Sequence, residues 1–111
     1  MIDLRKIIGF EWDQGNIDKS YQKHGITTKD AEEVFLDKGI QIKRDFKHHE
    51  TEERFIAIGK NLESKILFVI FTMRYSKISR AFLRIRIISA RTANKKERRM
   101  YEEKTKTNTK I

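Results

Sequence analysis

The spacing of apolar residues is helical in the first third of the chain. Ile17, Tyr21 and His24 follow i, i+4, i+7 spacing, which places them on one face of a helix. Asn16 is a favourable N-cap for this segment, and Gly25 offers the left-handed conformation in which many helices end. The pattern therefore predicts a first N-terminal helix that stops at Gly25.

A second helix is predicted directly after that glycine. The Thr27 hydroxyl is placed to cap its first turn, and Asp30 follows three residues later, in the position of a capping box. Ile26 and Ala31 occupy the two positions of a hydrophobic staple across this cap. We expect the helical unit to end at Gly39.

The apolar period changes to two after residue 40, which is typical of β-strands. Residues 66–71 are apolar at every position, as expected of a central strand covered on both faces. Short connections between the segments favour an antiparallel sheet with the helices packed on one side. The predicted strands are Ile7–Trp12, Ile40–Lys43, Arg54–Gly59, Ile66–Phe71 and Arg84–Ala90.

One more helix is predicted near the C-terminus. Asn94 and Glu97 have the spacing of a capping box, and the helix is expected to extend to about Glu103. Residues 104–111 are polar and lack a periodic apolar face, which predicts a frayed tail after a single domain over residues 1–103. The predicted fold class is α+β, with two N-terminal helices, an antiparallel sheet of about four to five strands and a C-terminal helix.

Charge is distributed unevenly along the chain. Residues 1–39 carry 6 Lys and Arg against 8 Asp and Glu, whereas residues 40–111 carry 19 against 8, and the net charge is +9. Such an asymmetry points to a polyanionic partner, either a nucleic acid or a strongly acidic protein. A compositional bias towards lysine and isoleucine explains scattered lysines, but it explains arginines concentrated in one strand less well.

Several classes of chemistry lack the residues they need. Cysteine is absent, which excludes disulfides, thiolate catalysis and cysteine-ligated metals. The chain has no His-Glu-x-x-His motif, glycine-rich nucleotide loop or nucleophile elbow, so neither a metal nor a cofactor is expected. No signal peptide or membrane-spanning apolar run is found, and we expect a cytoplasmic protein without membrane contact.

Arginine and isoleucine alternate in the last predicted strand. Arg84 and Arg86 share one face of this strand, while Ile85 and Ile87 lie on the other. A planar guanidinium held on a rigid strand binds two phosphate oxygens at once. Arg91 has the opposite parity, so it joins the same face only if a bulge or the strand end intervenes. A solvated sheet face explains the same pattern without a ligand.

Six blocks of residues occur together in collinear order. They are Phe10-Glu11-Trp12-Asp13, Lys23-His24-Gly25-Ile26, Asp30 to Phe35, Glu53-Arg54-Phe55 with Ile58-Gly59, Arg86 to Arg91, and Glu97-Arg98 with Tyr101-Glu102. Over about residues 7–103 the chain resembles the BrnT toxins, and the blocks together are far more specific than any one of them.

The resemblance implies a small RelE-like toxin fold and ribonuclease activity on an RNA substrate. It also implies a cognate antitoxin with a ribbon-helix-helix DNA-binding part. Toxin and antitoxin of this family are usually encoded together, and their complex represses its own promoter. Contact with operator DNA is therefore expected only through the complex.

Two departures from the family pattern matter. The family usually has proline soon after the Phe-Glu-Trp-Asp block, where this chain has Gln14-Gly15. The family also links the Thr72-x-Arg74 position to the Arg86 block by a short turn, whereas the segment from Tyr75 to Arg84 is longer here. We interpret the longer segment either as an extended hairpin at the rim of the site or as the mark of an inactive copy.

Metal-free cleavage of RNA needs a base for the 2′-hydroxyl, cations that stabilise the charged phosphate, and an acid for the departing 5′-oxygen. Histidine and carboxylates can exchange the proton, whereas arginine keeps its proton and suits the cationic clamp. The candidate catalytic residues are His24, His48, Glu53, Arg54, Arg74, Arg86 and Arg91. The candidate RNA-binding residues are Lys23, Arg84, Arg98 and Arg99.

Several candidates also have a purely structural explanation. His24 precedes a C-cap glycine, where a histidine complements the helix dipole, and His48 lies in a loop beside a second histidine. Glu53 and Arg54 are also consistent with a surface ion pair of little energetic value. Trp12 suits base stacking, but its position after an apolar strand is more typical of a core residue.

Two classes of function remain open. The first is an endoribonuclease toxin that inhibits translation and is neutralised by an antitoxin. The second is a non-catalytic basic module, such as a decayed toxin that still binds antitoxin or RNA. Positive charge predicts both equally, so the discriminating property is dependence of activity on the acid–base candidates.

Overall fold

A five-stranded sheet forms the centre of the computed structural model, which describes residues 4–12, 23–45, 53–75 and 82–109, with side chains as far as residue 105. The prediction of an α+β chain with four to five strands is confirmed. The strands are β1 (Ile7–Trp12), β2 (Gln41–Arg44), β3 (Phe55–Lys60), β4 (Ile66–Tyr75) and β5 (Leu83–Thr92), and the helices are α1 (Thr28–Glu33) and α2 (Lys95–Thr109).

The strand order is β1-β5-β4-β3-β2. The pairs β2–β3, β3–β4 and β4–β5 are antiparallel, whereas β1 runs parallel to β5. The prediction of a wholly antiparallel sheet is therefore wrong for β1. A short connection determines the relative direction only of two strands that follow one another in the chain. Because most of the chain separates β1 from its neighbour β5, the connection lengths do not determine the direction of β1.

Three elements extend further than their apolar patterns indicated. β4 continues to Tyr75 and β5 begins at Leu83, and these two residues form the last pair between the strands. The apolar run ends at Phe71 because polar residues follow it, so the pattern predicted the end of the strand there. The strand continues because its backbone hydrogen bonds do not depend on the polarity of the side chains. Helix α2 continues to Thr109, past the predicted end near Glu103.

The two predicted N-terminal helices have different outcomes. Most of the first lies outside the described residues, although Lys23 and His24 are helical and Gly25 has a φ of +68°, the left-handed stop that was predicted. The second is α1, and its predicted capping box is confirmed by reciprocal hydrogen bonds of 3.1 Å between Thr27 and Asp30. The chain then tightens into a 3-10 helix at Val34–Leu36.

The helices cover opposite faces of the sheet. On the α1 side, Phe35 meets Phe71 edge-to-face with a centroid distance of 5.1 Å, within the larger core cluster. On the other side, Tyr101 of α2 packs with Ile58 and Ile66. The prediction that the helices pack on one side is wrong, because a central strand that is apolar on both faces needs cover on both.

The Asp37 carboxylate joins the two layers at the edge of β3. Its Oδ1 accepts a hydrogen bond of 2.9 Å from the Gly39 N–H. Its Oδ2 accepts one of 2.8 Å from the Lys60 N–H and one of 2.6 Å from the Tyr101 hydroxyl. Burial and the neighbouring carboxylate both raise the pKa of Tyr101, so the hydroxyl keeps the proton that it donates.

Replacing Asp37 by Ala is expected to lower the free energy of unfolding by about 2–3 kcal/mol, because three donors lose their acceptor. Tyr101→Phe is expected to cost only about 1 kcal/mol, since the carboxylate keeps both backbone donors. Urea denaturation of the two variants measures the difference. Equal losses would show that the carboxylate is not the centre of this junction.

Candidate functional site

A bulge in β5 determines which of its side chains share a face. The pairing with β4 skips Ile88, since Ile87 and Ser89 pair with adjacent residues of the neighbouring strand. One extra residue reverses the alternation of side chains along the rest of the strand. Arg91, which has the opposite parity to Arg86 in the sequence, therefore lies on the same side of the sheet.

We call this surface the basic face. It is the α2 side of the sheet, and it is defined by Arg74 of β4 together with Arg84, Arg86 and Arg91 of β5. Arg74 lies directly opposite Arg84, and directly paired residues project to the same side. Arg74 and Arg84 are exposed, and Arg86 is half-buried. The structure thus groups four of the predicted site residues on one surface.

A carboxylate from β1 borders these arginines. Glu11 lies opposite Arg86 in the parallel pairing, and its Oε1 is 3.6 Å from Nη1 of Arg84. Both side chains of this ion pair remain substantially exposed, so it contributes little to stability. Sequence reasoning missed Glu11 as a site residue. The alternation of Glu11 with Phe10 and Trp12 indicated that its side chain points away from the core. The sequence did not indicate that β5 is the neighbouring strand.

Arg91 is tied into the fold more firmly than the other arginines. Its Nη1 and Nη2 donate hydrogen bonds of 2.8 and 2.9 Å to the two carboxylate oxygens of Glu97. Its guanidinium also lies 4.0 Å from the centroid of the Phe68 ring. Glu97 accepts a further hydrogen bond of 2.9 Å from the Asn94 N–H, which confirms the predicted capping box. These contacts anchor the start of α2 on the basic face.

The chain is similar to known proteins in both sequence and structure. A family profile described as "Ribonuclease toxin, BrnT, of type II toxin-antitoxin system" matches residues 12–97. The chain belongs to the BrnT toxin family. The 1.1 Å crystal structure of the Brucella abortus ribonuclease toxin BrnT is similar, with a TM-score of 0.54 and 25% sequence identity over 78% of this chain and 97% of that one. No curated protein matches the chain.

The part that matches the BrnT profile contains all four arginines of the basic face, while Glu11 lies one residue before it. Among the remaining candidates, Lys23 and His24 are exposed on the turn before Gly25. His48 lies outside the described residues, and its role stays a prediction.

Other predicted residues of this BrnT-family chain have local partners. Glu53 forms an ion pair with the exposed Arg44, whose strand partner Phe55 belongs to the α1-side core. Arg54 is half-buried immediately before β3. On α2, Arg98 donates a hydrogen bond of 3.2 Å to the Ala93 carbonyl and Arg99 is exposed. Their functional roles remain predictions.

Two buried polar atoms have no hydrogen-bond partner among the described residues. One is Oγ1 of Thr72, which is 1% exposed and lies opposite Arg86 on the basic face. The other is Nε1 of Trp12, whose ring packs against the α1-side core, as expected for a core residue. Burial raises the pKa of the Glu32 carboxyl, and the Trp12 indole offsets part of this rise.

The described residues include no group of three or more His, Asp or Glu side chains arranged to hold a metal ion. None of the helices in the described ranges is both long enough and apolar enough to cross a membrane.

The Arg91–Glu97 pair gives folding a pH dependence. Burial raises the pKa of Glu97, but the hydrogen bonds from Arg91 and the Asn94 N–H outweigh it, and the net pKa lies below its ordinary value. Ionised Glu97 therefore stabilises the fold above the pKa of the unfolded chain, and this contribution is lost as the pH falls through the lowered pKa.

Glu97→Gln is expected to lower the stability at pH 7 by about 1 kcal/mol and to differ less from wild type in acid. Glu32→Gln is the matched control, because burial raises the pKa of Glu32 and its ionised form is the disfavoured one. Thermal unfolding of both variants is measured between about pH 3 and pH 7, because carboxyl groups ordinarily titrate within this range. An equal loss for the two at pH 7 would contradict the assignment.

Proposed function

We propose that this chain is the toxin of a type II toxin–antitoxin system and an endoribonuclease that cleaves RNA without a metal ion, thereby inhibiting translation. Membership of the BrnT family supports the proposal. The observation that carries it is the basic face, where Arg74, Arg84 and Arg86 lie side by side on adjacent strands. Like charges placed directly opposite one another destabilise a sheet, so their grouping is better explained by an anionic ligand.

Arginine provides the cationic part of the reaction. Each guanidinium stays protonated and presents a planar fork that matches two phosphate oxygens. Arginines on neighbouring strands are held in place before the substrate arrives, so they stabilise the extra negative charge of the transition state without reorganisation. RNA supplies its own nucleophile in the 2′-hydroxyl, which is why a metal-bound hydroxide is not required.

Proton transfer completes the reaction. Attack of the 2′-oxygen on phosphorus breaks the bond to the 5′-oxygen, so a base accepts the 2′ proton and an acid returns one to the leaving oxygen. Glu11 is the carboxylate that the described structure places beside Arg84 and opposite Arg86. It joins the candidates His24, His48 and Glu53 as a proposed proton acceptor, with Arg54 as an additional cation.

The proposed partner is an antitoxin of the ribbon-helix-helix type, with which the toxin represses its own promoter in the cytoplasm. An inhibitor of a basic ribonuclease must cover its cationic surface. Its contacting segment is therefore acidic or buries the arginines beneath apolar and hydrogen-bonding groups. The remaining proposed RNA contacts are Lys23, which precedes α1, and Arg98 and Arg99 of α2, all at exposed positions.

Purified toxin is expected to cleave RNA in excess EDTA, because arginines and proton-transfer groups carry the whole reaction. Gel analysis of a defined RNA, with and without ribosomes, measures cleavage. Activity that disappears in EDTA and returns with one divalent ion would refute the metal-free mechanism. Intact RNA under every condition would favour a decayed toxin that only binds its partners.

Arg86→Ala is expected to reduce the cleavage rate by at least about tenfold, because one cationic donor to the transition state is lost. Lys29→Ala is the matched control, since it removes one positive charge from an exposed position on α1, across the sheet. Cleavage rates and melting temperatures are measured for both. Equal activity of the two variants would show that the arginine strand is only a solvated surface.

Arg91→Ala is expected to behave differently from Arg86→Ala. It removes the pair with Glu97 and the contact with Phe68, so its melting temperature falls along with its activity. A loss of activity at unchanged melting temperature would assign Arg91 to the phosphate rather than to the anchoring of α2.

A further inference from the structure

We infer that Phe82 is a base-stacking residue and that the substrate of the basic face is single-stranded RNA with an unstacked base beside the bound phosphate. This inference rests on the proposed function and specifies its substrate. It concerns the one large aromatic side chain, among the described residues, that directly precedes the arginines of β5.

Phe82 directly precedes β5, two residues before Arg84. Leu83 begins β5 and is buried on the α1 side, at 4% exposure. Extending the alternation of the strand by one residue assigns Phe82 to the same side as the arginines. Phe82 is 47% exposed, so half of a large apolar ring faces solvent at the outer end of the basic face.

An exposed aromatic ring next to guanidinium groups matches a nucleotide more closely than it matches a protein segment. The arginines neutralise the phosphate, and the ring offers a flat apolar surface for the attached base. Proteins that bind single-stranded nucleic acids combine these two elements, a basic track and aromatic side chains on which bases stack. The positive charge of the arginines explains only the binding of phosphate. The ring adds a second requirement, namely that the bound RNA presents an accessible base.

The same placement disfavours an RNA duplex. In an A-form helix the bases are stacked on one another and paired, so their faces are closed to a protein ring. Stacking on Phe82 requires a nucleotide that has left its own stack, as in a loop, a bulge or a single strand. Phe82, directly before β5, thus adds an aromatic contact at the end of the basic face where Arg84 lies.

Tyr75 provides a control within the same hairpin. It is more exposed than Phe82, at 60%, and it pairs with Leu83 at the end of the β4–β5 ladder. Because paired residues share a side, Tyr75 lies on the α1 side, away from the arginines. A nonspecific effect of removing an exposed aromatic from this hairpin would appear in Tyr75→Ala, whereas a stacking effect would not.

The experiment measures binding separately from cleavage. The full chain and its variants are titrated into a fluorescent single-stranded RNA carrying 2′-O-methyl groups, which removes the nucleophile, and into the same sequence as a duplex. Phe82→Ala and Phe82→Leu are expected to weaken single-strand binding by about five- to a hundredfold, because both lack the ring. Phe82→Tyr and Tyr75→Ala are expected to bind as wild type, and duplex binding is expected to change in none of them.

Three binding outcomes would overturn the inference, and a fourth outcome separates it from the proposed nuclease activity. Wild-type affinity of Phe82→Ala for the single strand would exclude stacking and leave the ring as a surface for a protein partner. Recovery of binding in Phe82→Leu would show an apolar contact rather than stacking. Equal losses on single strand and duplex would show a general effect on the basic face. Failure of the wild type to cleave unmodified RNA, with the binding differences intact, would refute the nuclease activity and not the stacking.

Discussion

The unpaired Ile88 in β5 allows this strand to fill the α1-side core along its whole length and still keep Arg91 out of that core. Strict alternation of side chains could not do both. Ile85 and Ile87 are buried in the α1-side core, and so is Ala90, although Ala90 has the opposite parity. Without the bulge, Arg91 would project into that core, where an unpaired guanidinium costs several kcal/mol. The extra residue turns Ala90 inward and Arg91 outward, so core packing and the basic face depend on the same irregularity.

The position of α2 follows from that reversal. Arg91 reaches the solvent side over Phe68 and binds Glu97 in the first turn of the helix. One turn later, Tyr101 bonds Asp37 at the edge of β3. Two anchors thus hold α2 over the end of the sheet where Phe68 lies, and the other end keeps the exposed Arg74 and Arg84. The packing that stabilises the helix therefore leaves the end of the basic face with Arg74 and Arg84 open to solvent.

Local signals were predictable from the sequence and long-range pairings were not. Both capping boxes, at Thr27 and at Asn94, use residues three positions apart, so the pattern contains all of the interaction. The common face of Arg84 and Arg86 follows from alternation alone. The parallel pairing of β1 with β5 is different, because it joins segments about seventy residues apart. The position of Glu11 beside the arginines depends on that pairing and was missed for the same reason.

Repulsion between the like charges of the basic face lowers the stability of the isolated toxin. Arg74 and Arg84 lie directly opposite each other, and the carboxylate of Glu11 lies 3.6 Å from Arg84. A ligand that supplies negative charge relieves this repulsion and binds only the folded chain, so it stabilises the fold by mass action. Under the proposed function, RNA and an acidic antitoxin segment would both meet that requirement at the same arginines. Substrate and inhibitor would then compete because of where the sheet places its charge, without a conformational change in the toxin.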